Sequence, residues 1–179
     1  MKTTAYNRNY DARIFMGIDQ SLTHTGVCII SHTPTSTDIL YAKGIKVSSD
    51  ESVERRIYGI VSVIKNTILE FGVDFVGLEG LAYNMSGTNN ARILGGLFFC
   101  ILNALISLNV PYDIYAPKSI KKFATGNGGA KKNEVVDALD TEDAKTLSDI
   151  SRIKISSQKF QDIADSFWVC KQLIATKGV

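Results

Sequence analysis

The stretch FMGIDQSLTHTGVCIIS, residues 15–31, contains an apolar run that stops at Asp19, a short polar loop, and a second apolar run after Gly26. Short apolar runs bounded by polar residues and glycine are typical of buried strands. Asp19 therefore ends a strand that we predict to be buried. A carboxylate in such a place is unfavourable unless a hydrogen bond, an opposite charge or a metal ion compensates it, so Asp19 needs a partner.

Length and charge are those of an ordinary globular domain. The chain has 179 residues, of which 45% are hydrophobic and 21% charged, and its net charge of +2 does not by itself indicate a polyanionic partner. No stretch resembles a signal peptide or reaches the roughly 18 consecutive apolar residues of a membrane span. We expect a cytoplasmic protein with an N-terminal extension over residues 1–13 and one domain over residues 14–179. Its three cysteines, Cys28, Cys100 and Cys170, are predicted to be reduced core residues.

The order of the predicted elements indicates a mixed α/β sheet. Strands are predicted over residues 14–18, 26–31 and 41–47, close enough in sequence for an antiparallel meander. Two further apolar runs, residues 75–78 and 112–115, are predicted to add two parallel strands. The sequence therefore favours a five-stranded mixed sheet, with a three-stranded antiparallel meander and two parallel strands, flanked by α-helices.

Helical spacing predicts where the flanking helices lie. Isoleucines at positions 57, 60, 64 and 68 indicate a long helix that ends before Gly72. A second helix is predicted to begin at Ala91 and end at Leu108, and its apolar residues cover more than one face, so it needs two partners. Shorter helices are predicted over residues 117–125 and 131–139, and a last one over 159–175. Residues 140–157 are polar and poorly periodic, and we predict no regular element there.

Three further carboxylates are candidates to join Asp19. Glu79 follows the strand at 75–78, as Asp19 follows the first strand. Asp162 and Asp165 are three positions apart and point to one side of the last helix. A solvated face is the alternative for this pair, but the apolar Val169 and Leu173 continue the same side.

Such a cluster of oxygen ligands suits hard divalent cations. Two cations held about 4 Å apart can activate water and stabilise the leaving oxygen of a phosphodiester.

A local basic segment indicates contact with phosphates. Five lysines and no acidic residue lie between positions 118 and 132, namely Lys118, Lys121, Lys122, Lys131 and Lys132. Lysine ammonium groups bind phosphates as point charges, and each contact steepens the salt dependence of binding. The alternative is a solvated helix face.

Two other residues near the carboxylates are interpreted from their loops. Tyr83, in the loop GLAYNMSGTNN at residues 80–90, is predicted either to stack on an unpaired base or to complete the local core. His24 is interpreted as a neutral loop residue without a catalytic role.

Four segments together resemble the RuvC family of Holliday junction resolvases, which have a ribonuclease H-like fold. The segments GIDQSLTHTG, VGLEG, YAPKSIKKFATGNGGAKKNEV and DIADSFWV occur in the order and spacing of that family, over residues 14–175. The resemblance implies that the four carboxylates named above are catalytic metal ligands and that Lys121 and Lys132 are the two functional lysines. Lys118, Lys122 and Lys131 are expected to contact DNA.

The resemblance also implies an activity. We expect a structure-selective endonuclease that cuts four-way DNA junctions in pairs and leaves a 5′-phosphate and a 3′-hydroxyl. It would use two Mg²⁺ ions per active site, with Mn²⁺ as a substitute, and act as a homodimer through the helix from Ala91 to Leu108. We expect Phe98 and Leu102 on the outer side of this helix, at a two-fold interface. A bacterial or phage-infected cell is the expected setting.

The chain departs from the family pattern in two places. Gln20 and Ser21 replace the commoner Pro-Gly after the first aspartate. Ala82 stands where bacterial members carry a stacking Phe, and Tyr83 or Met85 would have to replace that side chain.

Three alternatives remain. GIDQSLTHTG also resembles the phosphate loop of the sugar kinase, actin and Hsp70 group, whose members use two such domains to enclose a nucleotide. A non-catalytic junction-binding protein of the same fold is the second alternative. The third is an endonuclease for a broader set of branched or flap DNA.

Overall fold

The apolar runs of the sequence form the central strands of one sheet. The computed structural model describes residues 11–81 and 89–177, and its β1 and β2 are buried along nearly their whole length because helices cover both faces of the sheet. The strands are β1 (Arg13–Asp19), β2 (Thr25–His32), β3 (Thr37–Ile45), β4 (Phe75–Glu79) and β5 (Tyr112–Tyr115). Their order in the sheet is β3-β2-β1-β4-β5, with β1, β2 and β3 antiparallel and β1, β4 and β5 parallel. The predicted five-stranded mixed sheet is confirmed.

Six helices of the described residues form the two outer layers. They are α1 (Val53–Phe71), α2 (Asn89–Ser107), α3 (Pro117–Thr125), α4 (Lys132–Asp137), α5 (Thr141–Ser151) and α6 (Gln158–Lys177). On one face, buried side chains of α1 and α2 such as Ile64 and Ile101 pack against Met16 and Ile18 of β1. On the other face, α5 and α6 enclose a second core with Phe15 of β1.

Two sequence predictions about these elements are wrong. Residues 140–157 contain helix α5, which is capped at its start by Asp140, whose carboxylate accepts a hydrogen bond from the Asp143 N–H at 2.7 Å. Its apolar side chains Ala144, Leu147 and Ile150 recur only every third residue, which is why the periodic signal was weak. Strand β3 begins earlier and ends earlier than predicted, because its first residues pair with the end of β2.

Helix α6 lies unusually close to the sheet because two glycines leave room for its backbone. A Cβ atom at Gly17 would overlap the carbonyl oxygen of Ser166, and a Cβ at Gly26 would overlap the carbonyl oxygen of Asp162. Gly26 of β2 pairs directly with Asp19 of β1. The close approach therefore brings the beginning of α6 to the end of β1.

Helix α2 has one buried and one exposed apolar face. Its residues 90–107 are long and apolar enough to cross a membrane by length and composition alone, with a mean hydropathy of 1.5, a test that core helices also pass. Phe98, which we expected on the outer side, is only 6% exposed and belongs to the core, whereas Phe99 and Ile106 are each 64% exposed. Cys100 is exposed as well, so only Cys28 and Cys170 are the core cysteines that the sequence predicted.

Candidate metal centre

The four predicted carboxylates lie together at one edge of the sheet. β1 and β4 are adjacent and parallel, so Asp19 and Glu79 end at the same edge. Carboxylate oxygens of Asp19, Asp162 and Asp165 lie within 4.8 Å of one another. The carboxyl group of Glu79 lies outside this set of three but is close enough to hydrogen-bond to that of Asp19. Three elements that are distant in sequence thus build one acidic cluster.

The cluster carries more negative charge than its surroundings compensate. Burial raises the pKa of Asp19 well above its ordinary value, and the hydrogen bond and charge of Glu79, followed by the charges of Asp165 and Asp162, raise it further. Burial likewise raises the pKa of Asp165 to about 7, although the positive charge of Lys132 opposes this shift. The donors are all carboxylate oxygens, the ligand type that hard divalent cations prefer. The residues present therefore fit a divalent metal site.

Lys132 lies beside both helix aspartates. Its Nζ lies 3.7 Å from Oδ1 of Asp162 and 3.9 Å from Oδ2 of Asp165. Partial burial alone would lower the pKa of Lys132. The negative charges of the nearby carboxylates, among which Asp165 has the largest effect, outweigh burial and raise this pKa above its ordinary value. The structure thus places Lys132, one of the two lysines expected to be functional, beside the acidic cluster.

The other four lysines of the basic segment have no ion pair with the acidic cluster among the described contacts. Lys121 donates a hydrogen bond from Nζ to the carbonyl oxygen of Ala130 at 2.7 Å, and its charge also lowers the pKa of Asp165. Lys118, Lys122 and Lys131 are exposed, as phosphate contacts would require. Tyr83, together with Ala82 and Met85, lies outside the described residues.

Sequence reasoning missed His24 as part of this site. Its Nδ1 lies 2.8 Å from Oδ2 of Asp162, although 138 positions separate the two residues in the chain. The only sequence signal was its place five residues after Asp19 in the loop between two strands. Gln20, in the same loop, donates from Nε2 to the carbonyl oxygen of Glu79 at 2.6 Å and so joins the ends of β1 and β4.

Comparison with known sequences gives the family. The sequence model described as "Crossover junction endodeoxyribonuclease RuvC" matches residues 15–166. The chain is 29% identical to RuvC of Chlorobaculum parvum over 126 residues, which are 70% of this chain and 67% of that protein. It is 25% identical to RuvC of Rickettsia prowazekii, over 69% of this chain and 78% of that protein.

Solved structures share the fold. Thermus thermophilus RuvC in complex with Holliday junction substrate aligns with a TM-score of 0.70 at 21% identity, over 93% of this chain and 96% of that one. The fowlpox virus Holliday junction resolvase aligns with a TM-score of 0.54 at 16% identity, over 92% of this chain and 99% of that one. The ribonuclease H-like architecture, with its acidic cluster at the ends of β1, β4 and α6, agrees with the sequence match. The chain belongs to the RuvC family of crossover junction endodeoxyribonucleases.

Proposed function

We propose that Asp19, Glu79, Asp162 and Asp165 together hold two Mg²⁺ ions and form the catalytic centre of a junction-resolving endonuclease. The observation that carries this proposal is the convergence of β1, β4 and α6, with three carboxylates whose oxygens lie within 4.8 Å of one another beside a fourth. As a RuvC-family enzyme, the chain is a Holliday junction resolving endonuclease that uses divalent metal ions. Mg²⁺ as the physiological ion, with Mn²⁺ as a substitute, is our proposal.

The chain's own residues have distinct parts in the proposed reaction. The four carboxylates would hold two divalent ions, which would supply activation of the attacking water and stabilisation of the leaving oxygen of the phosphodiester. Asp19 contacts Glu79 on one side and lies near both helix aspartates on the other, so it would be the central carboxylate of the group that holds the ions. Lys132, within 4 Å of both helix aspartates, would balance charge on the scissile phosphate. The products would be a 5′-phosphate and a 3′-hydroxyl.

A second group of basic and polar side chains extends from this centre. Lys132 and Asp162 line an open recess of about 270 Å³ with Gln158, Lys159 and Gln161 at the beginning of α6. We propose that DNA phosphates run along this recess and past the exposed Lys118, Lys122 and Lys131. Lys159 is a contact that the sequence did not suggest.

The proposed substrate is a four-way junction, acted on in the cytoplasm of a bacterial or phage-infected cell. The names of the relatives and the junction-bound structure of Thermus thermophilus RuvC support this substrate class. Cutting of four-way, three-way, flap and linear DNA should be measured in parallel under the same Mg²⁺ concentration. Faster cutting of four-way DNA is expected. Equal cutting of flap and four-way DNA would favour a broader branched-DNA endonuclease, and absence of any cutting would favour a non-catalytic binding protein.

Lys132→Ala should separate cutting from binding. Because its ammonium lies beside the acidic cluster, we expect the single-turnover cutting rate to fall about 10- to 100-fold while junction affinity changes much less. Lys118→Ala should instead weaken binding and reduce the slope of log affinity against log salt by about one. Fluorescence anisotropy at several salt concentrations and single-turnover cutting would measure both effects.

Two further variants complete that comparison. Lys145→Ala, an exposed lysine on α5 outside the basic segment, is the matched control and should change neither quantity. Lys121→Ala should reduce cutting and also loosen the loop between α3 and α4, residues 126–131, because it removes the hydrogen bond to Ala130. Equal losses of binding and cutting in Lys118→Ala, Lys121→Ala and Lys132→Ala would show that these lysines only attract DNA.

We propose that the enzyme is a homodimer through the exposed face of α2. Two symmetric cuts in a four-way junction require two active sites related by a two-fold axis. Phe99 and Ile106 project from α2 on one side, and Tyr58 of α1 is 76% exposed beside an open groove of about 680 Å³ between the two helices. Large exposed apolar side chains of this kind are typical of protein interfaces.

Phe99→Asp should therefore weaken dimerisation. Placing a charge in a desolvated apolar contact is expected to raise the dimer dissociation constant about 10- to 100-fold, measured by sedimentation equilibrium. Ile155→Asp changes an exposed apolar residue outside α1 and α2 and is the matched control. A wild-type protein that sediments as a monomer both free and on junction DNA would refute the dimer. Phe98 is unsuitable for this test because its substitution would disturb the core.

A further inference from the structure

His24 makes a directional contact with one oxygen of Asp162. The side chains of His24 and Asp162 are 14% and 21% exposed, and Nδ1 of His24 lies 2.8 Å from Oδ2 of Asp162. A carboxylate oxygen accepts hydrogen bonds, so this contact assigns the His24 tautomer with a hydrogen on Nδ1. The other oxygen, Oδ1, faces Lys132 at 3.7 Å. The two oxygens of Asp162 therefore have different environments.

Gly44 provides the space in which the His24 ring lies. It is a residue of β3 and pairs with Gly26 of β2, the glycine beneath the backbone of Asp162. A Cβ atom at Gly44 would overlap Nε2 and Cε1 of His24. The three atoms nearest to such a Cβ all belong to the His24 ring. Any side chain at position 44 would displace the imidazole from its place beside Asp162.

We infer that His24 is a positioning residue that holds Oδ2 of Asp162 so that Oδ1 is presented to the metal, and that Gly44 is required for this placement. The inference rests on the proposed function, because it takes Asp162 to be a metal ligand. Hydrogen bonds to a ligating carboxylate fix its orientation, and removing such a partner typically lowers metal affinity about 10- to 100-fold.

The test is Mn²⁺ binding to the DNA-free protein, followed by electron paramagnetic resonance, with thermal unfolding measured beside it. His24→Ala should weaken Mn²⁺ binding about tenfold. His24→Asn should restore most of the affinity, because the amide nitrogen of asparagine occupies the position of Nδ1 and also donates.

Gly44→Ala tests the contact between His24 and Asp162 independently, because it displaces the ring without changing His24 itself. In the wild-type background it should weaken Mn²⁺ binding as His24→Ala does, because the ring must move. In the His24→Ala background the added methyl group has room, so Gly44→Ala should cause no further loss. If His24→Ala fails to fold, Gly44→Ala beside wild type still tests the contact.

The outcomes separate this inference from the proposed function. If Asp162→Asn weakens Mn²⁺ binding and His24→Ala does not, His24 has only a structural role and the inference is wrong. An equal loss from Gly44→Ala in both backgrounds would mean that Gly44 acts through β3 and not through the ring. If Asp162→Asn itself leaves Mn²⁺ binding unchanged, the proposed metal centre is wrong.

Discussion

Asp19→Asn, Glu79→Gln and Asp165→Asn are each expected to reduce metal-dependent cutting of four-way DNA about a thousandfold or more. A metal ion contributes several kcal/mol of transition-state stabilisation, and each 1.36 kcal/mol corresponds to about a tenfold change in rate. Each variant removes the charge of one carboxylate but keeps its shape. Asp162→Asn should behave in the same way. Junction binding should persist, because the lysines proposed to contact phosphate are unchanged.

The same variants should leave the metal-free fold as stable as the wild type or make it more stable. The carboxylates of Asp19, Asp162 and Asp165 repel one another, and removing one charge relieves that repulsion. Thermal unfolding with and without Mg²⁺, beside a cutting assay, measures both properties. Asp149→Asn, an exposed aspartate on α5, is the matched control. If Asp19→Asn cuts at the wild-type rate, or loses several kcal/mol of metal-free stability, Asp19 is a structural residue and the proposed mechanism is wrong.

The metal-free protein should lose stability as the pH rises from about 4 to 8. Asp165 has a pKa of about 7 in the folded protein against 3.8 as its ordinary value. Between these two values the folded state binds more protons than the unfolded state, so the free energy of unfolding falls as pH rises. Three pKa units correspond to about 4 kcal/mol, and we expect a contribution on the order of 2 to 4 kcal/mol from Asp165 alone. The raised pKa of Asp19 should likewise make the free energy of unfolding fall as the pH rises.

Denaturant unfolding in EDTA at several pH values would measure this loss. The informative quantity is the difference between wild type and Asp165→Asn, because titrating groups outside the acidic cluster contribute equally to both. As the pH rises, the free energy of unfolding of Asp165→Asn should exceed that of the wild type by a growing amount. At pH 8, Mg²⁺ should restore the stability of the wild type, because the ion compensates the charges of the carboxylates. Parallel stability curves for the two proteins would contradict the raised pKa and the crowding that causes it.

The cluster of four carboxylates was predictable because each of its members had a local signature. Asp19 and Glu79 directly follow apolar runs, and adjacent parallel strands end at one edge of a sheet. The helical spacing of Asp162 and Asp165 put both on one side, and the burial of Val169 and Leu173 confirms that this side faces the protein. The resemblance to the RuvC family then assigned the chemistry.

Features that depend on the register of distant elements were not predictable. Phe98 and Phe99 are neighbours in a helix that is apolar nearly all round, so the sequence could not tell which side chain enters the core. The placement of His24 requires the pairing of Gly26 with Gly44 and the closeness of α6, neither of which has a local pattern.

The position of α6 along the chain has a consequence for biosynthesis. Asp19 lies on the first strand, whereas Asp162 and Asp165 lie on the last helix, and contacts between such distant segments carry a high loop-closure cost. A nascent chain that has reached only residue 157 has its sheet strands but lacks half of the carboxylates that would bind metal. Under the proposed metal centre, such incomplete translation products would not cut DNA, and activity would arise only after α6 has been synthesised and has packed against Gly17 and Gly26.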